Sequence, residues 1–242
     1  MSKLENKKTK VTLLIPTLNE FSGVSQIMPH VQREWVDQIL FVDGGSTDGT
    51  IELVKSMNYE ILIQKKKGIR YAYIEALDHI RGDAILTFSP DGNSIPSIIP
   101  PLIQKFNEGY DMVIASRYLG DAKSEDDDII TAFGNWLFTS LINHLHGGTY
   151  TDAMVMYRIY RKNLLYELDI NKDSSYQTEE KLFRTVVGCE PLISIRAAKR
   201  KLKFAEIPAD EPKRIGNERK LKIIRWGCAY MYEVFREKFF WS

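Results

Sequence analysis

The sequence has little cysteine and no long apolar run, and both absences exclude classes of protein. Its two cysteines, Cys189 and Cys228, stand far apart, whereas disulfide frameworks and zinc sites need clusters. No apolar stretch approaches the about 18 to 20 residues that cross a bilayer. The first ten residues, MSKLENKKTK, lack the apolar core of a signal peptide. We therefore expect a cytoplasmic protein with reduced cysteines.

Charge is nearly balanced overall but unevenly distributed. The formal net charge is +1, which argues against uniform nucleic-acid binding. Residues 121–128 (DAKSEDDD) are acidic, and we interpret residues 125–128 as a solvated loop. Residues 196–222 carry ten Lys or Arg against four Asp or Glu. This basic region suits phosphate groups or an anionic membrane face.

Short apolar runs alternate with segments of helix length, which predicts an α/β fold. The expected architecture is a Rossmann-like, mostly parallel sheet flanked by helices. Strands are predicted at 11–15, where Pro16 ends the strand, and at 38–42, 60–64, 84–88, 112–116 and 154–160. Helices are predicted at 21–35, 50–57, 68–80, 98–107 and 129–144.

Three polar loops should share one edge of this sheet. They begin at Pro16, Asp43 and Ser89, and ligands of such sheets bind beyond the carboxyl ends of the strands. The first loop, IPTLNE, offers hydroxyl, amide and carboxylate groups at Thr17, Asn19 and Glu20. An N-cap followed by a helix-start glutamate is the structural alternative for this loop.

The second and third loops each supply an aspartate. In FVDGGSTDGT (41–50), Asp43 ends a strand and can accept hydrogen bonds from a ribose or base, while Asp48 is interpreted as a turn or cap residue. In FSPDGNSIP (88–96), Asp91 follows Pro90 and lies near Asn93. A carboxylate and an amide suit Mg²⁺ or Mn²⁺, although P-D-G is also an ordinary β-turn.

The order of these segments along the chain resembles that of a known protein family, although no single loop is specific to it. IPTLNE, VDGGSTDGT, an aspartate loop near residue 90 and ASRY (115–118) follow one another. This order resembles family 2 glycosyltransferases of the GT-A fold, and within them the polyprenyl-phosphate sugar transferases related to dolichol-phosphate mannose and glucose synthases. Three later segments extend the resemblance to residue 222: TDAMVMYRIYRK (151–162), QTEEKLFRTVVG (177–188) and AEIPADEPKRIGNERKLK (205–222).

The chain also departs from the pattern of this family. Its metal loop, normally D-x-D, reads Ser89-Pro90-Asp91 and lacks one carboxylate. Gly44 replaces the second aspartate of VDDGS, and Arg219 replaces the serine of the R-x-x-G-x-S-K loop. An arginine that precedes the G-N of the long helix is absent, since residues 131–135 read TAFGN. These departures weaken the expectation for the metal and for the acceptor.

Carried over to this chain, the resemblance implies a donor side and an acceptor side. The nucleotide-sugar site would comprise Pro16, Thr17, Asn19, Glu20, Asp43, Gly68, Arg70 and Asp91, with Tyr73 behind the diphosphate. Asp91 would be the metal ligand for Mg²⁺ or Mn²⁺. The acceptor or phosphate site would comprise Arg117, Arg158, Arg214 and Lys220, and the catalytic residues would be Asp91, Asp152, Glu179 and Arg117. Ordinary ion pairs are the structural alternative for Arg117 and Arg158. The resemblance also implies that the acidic loop, residues 125–128, borders the acceptor site.

The implied reaction is a metal-dependent, inverting transfer of a sugar from a UDP- or GDP-type donor. A polyprenyl phosphate acceptor is already anionic and needs no strong base, whereas a sugar hydroxyl of a growing glycan would need Asp152 or Glu179 as base. A degenerate member that binds nucleotide sugar without turnover is a further hypothesis. A methyltransferase is disfavoured because GGSTDG is not a G-x-G-x-G turn, and a nucleotidyltransferase because IPTLNE is not a Gly-rich basic loop.

The end of the chain is predicted to be an amphipathic helix. We expect one GT-A domain over 1–222 and a separate helix over 223–242, rich in aromatic and basic residues. Its aromatics, Trp226, Tyr230, Phe235, Phe239, Phe240 and Trp241, suit a membrane interface, but they could equally pack on the domain. The first alternative predicts a peripheral protein on the cytoplasmic membrane face.

Overall fold

Seven strands form one sheet in the computed structural model, which describes residues 9–216 and 223–241. The strand order is β3-β2-β1-β4-β6-β5-β7. The strands are β1 (Val11–Thr17), β2 (Gln38–Asp43), β3 (Glu60–Ile63), β4 (Ala84–Thr87), β5 (Met112–Ser116), β6 (Arg158–Arg161) and β7 (Phe204–Pro208). All pairings are parallel except those of β6. The predicted mostly parallel sheet is confirmed.

Helices cover both faces of the sheet. They are α1 (Phe21–Ile27), α2 (Thr50–Ser56), α3 (Ile69–Ala76), α4 (Ile99–Phe106), α5 (Ile129–His146), α6 (Leu164–Glu167), α7 (Gln177–Phe183), α8 (Glu190–Lys199) and α9 (Ile223–Phe240). Successive side chains of a strand point to opposite faces. Leu14 therefore packs in the core that contains residues of α3, α5, α8 and α9, whereas Leu13 packs in the core that contains residues of α1, α2 and α4.

Three predicted elements are shorter than expected, and the first is the helix predicted over 68–80, which is α3, Ile69–Ala76. The helix predicted over 21–35 comprises α1 and then two 3₁₀ turns, Met28–His30 and Arg33–Trp35, because Pro29 cannot donate the next helical hydrogen bond. The strand predicted over 154–160 begins only at Arg158. Residues 154 and 155 instead donate their backbone N–H groups to Asp152 Oδ1, at 3.3 and 3.2 Å, and form a turn.

Pro16 does not end the first strand, as the sequence had suggested. β1 continues through Thr17, and Pro16 pairs with Val42 of β2. The carbonyl of Leu14 accepts from Phe88 on the β4 side, so the backbone nitrogen of Pro16, two residues later, faces that same side. Because β4 ends at Thr87, no hydrogen bond between β1 and β4 is lost through the missing N–H of Pro16.

The topology brings seven segments to one edge of the sheet. The strands β1, β2, β3, β4, β5 and β7 run in the same direction and end there. β6 is antiparallel to β4 and pairs Arg158 with Thr87, so the segment that precedes β6, and not the one that follows it, lies at this edge. The predicted gathering of the first three loops is thus confirmed, and the segments around Asp152 and after Pro208 join them.

Candidate active site

Asp43 organises the turn that follows β2. Its carboxylate is fully buried. Oδ1 accepts from the backbone N–H groups of Gly45 and Ser46, at 2.9 and 2.7 Å, and Oδ2 accepts from the hydroxyls of Ser46 and Thr17, at 2.6 and 2.9 Å. Asp43 therefore shapes the Gly-Gly-Ser turn and ties it to β1, and its predicted contact with a nucleotide stays a prediction.

The first loop is joined to the second by Asn19. This residue has a left-handed φ of 53°, and its Oδ1 accepts from Thr47 N at 2.8 Å while its own N–H donates to Ser46 Oγ at 2.7 Å. Asp48 Oδ1 accepts from Thr50 N, at 3.0 Å, in the first turn of α2, so its predicted turn role is confirmed. The two loops form one hydrogen-bonded unit at the edge.

Asp91 lies in the third loop and faces an arginine. It is only 5% exposed. Its Oδ1 accepts from Asn93 N at 3.1 Å, its Oδ2 lies 3.2 Å from Arg214 Nη1, and its carbonyl accepts from Ile215 N at 2.7 Å. Through these contacts Arg214 and Ile215, in the segment after β7, pack against the loop that corresponds to the family's metal loop.

Arg214 also contacts a second carboxylate, that of Asp126. Its Nη2 lies 3.5 Å from Asp126 Oδ2, and its backbone N–H donates to Asp126 Oδ1 at 3.3 Å. Asn93 Nδ2 donates to the same Asp126 Oδ2 at 3.2 Å. One guanidinium thus lies between Asp91 and Asp126, which is where a cation is favoured electrostatically.

These residues are compatible with a divalent cation that a donor diphosphate completes. Across residues 9–216 and 223–241, no three His, Cys, Asp or Glu side chains are grouped to hold a metal by themselves. Asn93 Oδ1, however, is buried and accepts no hydrogen bond from the residues that the structure describes. Carboxylate and amide oxygens are the ligands that Mg²⁺ and Mn²⁺ prefer.

Arg117, at the end of β5, is surrounded by three carboxylates. Its Nε donates to Asp152 Oδ2 at 2.6 Å, and its Nη1 lies 3.1 Å from Glu211 Oε2 and 3.4 Å from Asp127 Oδ2. Its Nη2 donates to Asn135 Oδ1 at 3.3 Å. The guanidinium therefore joins the acidic loop, α5, the segment before β6 and the segment after β7.

The carboxylates around Arg117 differ in their pKa shifts. Burial alone would raise the pKa of Asp152, but attraction and hydrogen bonds from Arg117 outweigh it and hold this pKa below its usual value. For Glu211, burial raises the pKa by more than Arg117 and Ser124 lower it. Asp152 is thus firmly ionised, while Glu211 retains a proton at a higher pH than an ordinary glutamate.

Three residues predicted on the donor and acceptor sides are buried in protein contacts. Arg70 is 1% exposed and pairs with Asp173 and Glu180, each at 2.8 Å. Arg158 is fully buried and donates to Ser194 Oγ at 3.0 Å and to the Ala153 carbonyl at 3.2 Å. Tyr73 is buried on α3. Ligand contacts of these three side chains stay predictions.

Gly68 immediately precedes α3 and has a conformation that favours glycine. Its φ is +120°, and a Cβ added there would lie 2.6 Å from Val186 Cγ1. This close approach explains the glycine by packing alone, and its predicted donor contact stays a prediction. Lys220 lies outside the described residues.

Glu179 belongs to a different cluster, beneath α9. It is fully buried on α7 and pairs with Arg236. Glu233 of α9 is also fully buried, and within the described part of the chain neither of its carboxylate oxygens has a hydrogen-bond partner. Burial raises the pKa of Glu233 well above its usual value, and the neighbouring Glu179 adds to this shift. Arg196 pairs with Glu237 at the same interface, at 2.8 Å.

Glu233 gives a testable prediction about stability and pH. Because its folded-state pKa is raised above 4.5, the folded protein binds the extra proton and loses stability as pH rises from about 4.5. We expect Glu233→Gln to raise the free energy of unfolding by about 1–3 kcal/mol at pH 8 and hardly at all at pH 4.5. Urea unfolding at both pH values measures this difference.

The control for this prediction is Glu34→Gln, an exposed glutamate in the turn before β2. It should change stability little at either pH. An equal gain from Glu233→Gln at pH 4.5 and pH 8 would contradict a buried, protonated Glu233.

The acidic loop was interpreted as solvated, and this interpretation is wrong for two of its residues. Asp126 pairs with Arg214, Asp127 pairs with Arg117, and both are partly buried. The resemblance implied that this loop borders the acceptor site, but Asp126, Asp127 and Glu211 were not named as site residues from the sequence. The signal was an acidic run followed by a basic one, but opposite charges in two segments do not specify which residues pair.

α9 packs on the domain through one face and exposes the other. Tyr230 and Val234 are buried among α5, α7 and α8, whereas Phe239 and Phe240 are about four-fifths exposed, at 78% and 82%. The predicted interfacial aromatics are therefore divided between packing and exposure. Among the described residues, no helix is long and apolar enough to cross a membrane.

The sheet topology and the carboxylate-rich site at its edge define an enzyme of the GT-A glycosyltransferase class. The model of glycosyl transferase family 2 matches residues 12–169. The chain belongs to this family and is a glycosyltransferase.

Individual relatives agree with this assignment. The chain is 26% identical to glycosyltransferase AglJ of Haloferax volcanii over 228 residues, which cover 93% of this chain and 71% of that protein. It is also 26% identical to undecaprenyl-phosphate 4-deoxy-4-formamido-L-arabinose transferase of Salmonella choleraesuis, over 64% of this chain. The matched region spans 50% of the length of that protein.

A solved structure shows the same fold. The crystal structure of glucosyl-3-phosphoglycerate synthase from Mycobacterium tuberculosis in complex with Mn²⁺, UDP and phosphoglyceric acid superposes with a TM-score of 0.66. It covers 95% of this chain and 78% of its own chain at 16% identity. At this identity the likeness extends to the fold alone.

Proposed function

We propose that the protein is a metal-dependent, inverting glycosyltransferase that moves a sugar from a nucleotide-diphosphate donor to a polyprenyl phosphate. The donor is of the UDP or GDP type, and the reaction takes place at the cytoplasmic face of a membrane. The name of the Salmonella relative supports the acceptor class. The Mn²⁺ and UDP in the mycobacterial synthase complex support a nucleotide donor with a divalent ion.

In this proposal each residue at the sheet edge has a separate role. Asp91 holds Mn²⁺ or Mg²⁺, which neutralises charge on the leaving diphosphate when bound. Arg214 lies beside Asp91 and adds a cation for the same phosphates. Arg117 binds the acceptor phosphate, and the phosphate replaces the carboxylates of Asp127 and Glu211 as partners of its guanidinium. Asp152 keeps Arg117 in position through its bidentate pair.

The state of Asp152 is the observation that carries the acceptor proposal. Its carboxylate is fully buried, paired with Arg117, and has a lowered pKa, so it is a poor acceptor for a proton. Glu179, the other predicted base, is paired with Arg236 beneath α9. A phosphate oxygen is already anionic near neutral pH and needs neither of them.

The raised pKa of Glu211 favours a second candidate function, transfer to a sugar hydroxyl. A glutamate whose pKa lies nearer to neutrality is better suited to general-base catalysis, and Glu211 lies beside Arg117 at the same edge. Under this alternative, the acceptor is a growing glycan and Glu211 takes the hydroxyl proton.

One experiment tests the two acceptors together. Purified protein is incubated with radiolabelled UDP- and GDP-sugars, Mn²⁺, and either polyprenyl phosphate in detergent or a soluble oligosaccharide. We expect label in the organic phase with polyprenyl phosphate, and Glu211→Gln should retain this activity. Transfer only to the oligosaccharide, abolished by Glu211→Gln, would support the glycan acceptor. Nucleotide-sugar binding without transfer to either would support a degenerate member.

An exposed apolar face beside Arg117 supports the placement at a membrane. The first turns of α5 expose Ile129, Ile130, Phe133 and Trp136. α9 runs alongside α5 in the same direction, since Phe138 packs on Tyr230 and His146 contacts the Val234 carbonyl. Ile224 and Arg225, both exposed, therefore lie near the start of α5. Apolar residues next to a cation suit an anionic lipid surface.

This apolar face gives a prediction for vesicle binding. We expect the Phe133→Ser/Trp136→Ser double variant to bind anionic phospholipid vesicles at least about fivefold more weakly, because two exposed aromatics no longer insert into the interface. Co-sedimentation measures the bound fraction. Tyr166→Ser, which removes an exposed aromatic on α6 beyond the opposite edge of the sheet, should bind as the wild type does. Equal binding by all three proteins would remove this face from the proposal.

A further inference from the structure

We infer that Asp126 supplies the second carboxylate of the divalent-cation site, in place of the one that the family's D-x-D motif loses at Ser89. The inference rests on the proposed function, because it concerns the metal ion of that reaction. The proposed ligand, Asp126, comes from the acidic loop. This loop is distant in sequence from the metal loop, since Asn93 and Asp126 are 33 residues apart.

The first observation is that Asp91 and Asp126 share one cation in the structure. Arg214 places Nη1 3.2 Å from Asp91 Oδ2 and Nη2 3.5 Å from Asp126 Oδ2. The nitrogens of a guanidinium are held in a rigid fork, so the two carboxylates face each other across a single cationic group. A divalent ion in the position of that group would meet both of them.

The second observation is the state of Asn93, which lies between the two aspartates. Its backbone N–H donates to Asp91 Oδ1, and its Nδ2 donates to Asp126 Oδ2. Its Oδ1 is buried and has no hydrogen-bond partner among the residues described. A buried acceptor without a donor is costly, and coordination of a cation would satisfy it.

Charge completes the argument. Two carboxylates carry two negative charges, and Arg214 neutralises one of them, whereas Mn²⁺ or Mg²⁺ would neutralise both. Asp91, Asp126 and Asn93 would offer three oxygen ligands, and diphosphate oxygens and water would supply the remaining ones that these ions prefer. Arg214 would then give up its contacts with the two aspartates and pair with the negatively charged diphosphate.

A purely structural role for Asp126 makes a different prediction. In that role, Asp126 only anchors Arg214 and the segment after β7, and its loss changes stability without changing the affinity for metal. The readout must therefore be metal binding and not activity. The Mn²⁺ affinity of the protein saturated with UDP separates the two roles.

The experiment measures free Mn²⁺ by electron paramagnetic resonance in titrations of wild type, Asp126→Asn and Asp126→Ser, each with UDP. Two variants are used so that a folding failure of one leaves the other to decide. We expect the Kd for Mn²⁺ to rise at least about tenfold in both, since even partners outside the first ligand shell alter metal affinity by 10–100-fold. Glu125→Gln, an exposed neighbour in the same loop, should match the wild type.

Restoring the family motif provides a second test. Adding Ser89→Asp to Asp126→Asn returns a D-x-D pair to the metal loop, and we expect it to recover most of the lost Mn²⁺ affinity. Folded Asp126 variants with wild-type Mn²⁺ affinity would overturn this inference and leave the proposed function standing. A wild-type protein that binds UDP equally well with and without Mn²⁺ would overturn the metal-dependent function and this inference together.

Discussion

Asp91→Asn is expected to lower the rate of sugar transfer by about 10²–10³-fold, because it removes the carboxylate that we propose holds the charge-stabilising cation. The variant should still fold. Asp91 is buried, but Arg214 keeps its contact with Asp126, so the loss in stability should be about 1.5–3 kcal/mol, as for one hydrogen bond to a charged group. Initial rates with saturating donor and acceptor measure the first effect, and thermal unfolding measures the second.

The control for Asp91 is Asp78→Asn, which removes the same charge from an exposed position just after α3. It should leave the rate and the melting temperature unchanged. UDP should also raise the melting temperature of the wild type more with Mn²⁺ than without it, and Asp91→Asn should abolish the difference. Full transfer activity in Asp91→Asn would exclude Asp91 as the metal ligand.

Arg117→Met is expected to lower the free energy of unfolding by about 3–5 kcal/mol, because it leaves the fully buried Asp152 without its partner. The expected pH dependence has a definite sign. Since Arg117 depresses the pKa of Asp152 below 3.8, the pair stabilises the fold above that pH, and its contribution disappears as pH falls through the folded-state pKa. The difference in the free energy of unfolding between the wild type and Arg117→Met should therefore become smaller below about pH 4.

Arg161→Met is the matched control for Arg117. Arg161 also pairs with two carboxylates, Asp111 and Glu167, but its side chain is 35% exposed. Because pairs at this exposure contribute about 0–1 kcal/mol, Arg161→Met should be only slightly destabilising. Denaturant unfolding of the wild type and both variants, at pH 7 and at a pH below 4, makes the comparison. A loss in Arg117→Met as small as that in Arg161→Met would contradict a buried ion pair.

Much of the fold could be predicted because its signals are local. The strand over residues 112–116 was predicted with the boundaries that β5 has, since five buried apolar or small residues between polar turns have few other conformations. The helix that starts at Ile129 was predicted from its amphipathic pattern. In the structure Asp128 caps it by accepting from Thr131 N at 2.8 Å. Pro16 shows the limit of such signals, because its fit within β1 depends on where β4 ends.

The candidate site was predictable only in part. Thr17 and Asp43 end two strands and Asp91 follows a third, and the carboxyl ends of these strands share an edge, so their proximity follows from strand order. Arg70 and Arg158 come from segments with equally good resemblance to the family, yet both side chains are buried in internal contacts. A motif match identifies a residue, but it does not specify whether the side chain points towards the ligand or into the core.

The linear sequence was enough to establish the α/β architecture, the order of the polar loops along one edge and the family, because each rests on periodicity, turn chemistry or motifs within short segments. The partners of the charges required the folded chain. Arg117 and Glu211 are 94 residues apart, and Arg214 and Asp126 are 88 apart. No local pattern encodes such pairs, since Coulomb attraction depends on distance in space and on burial, and folding alone sets both.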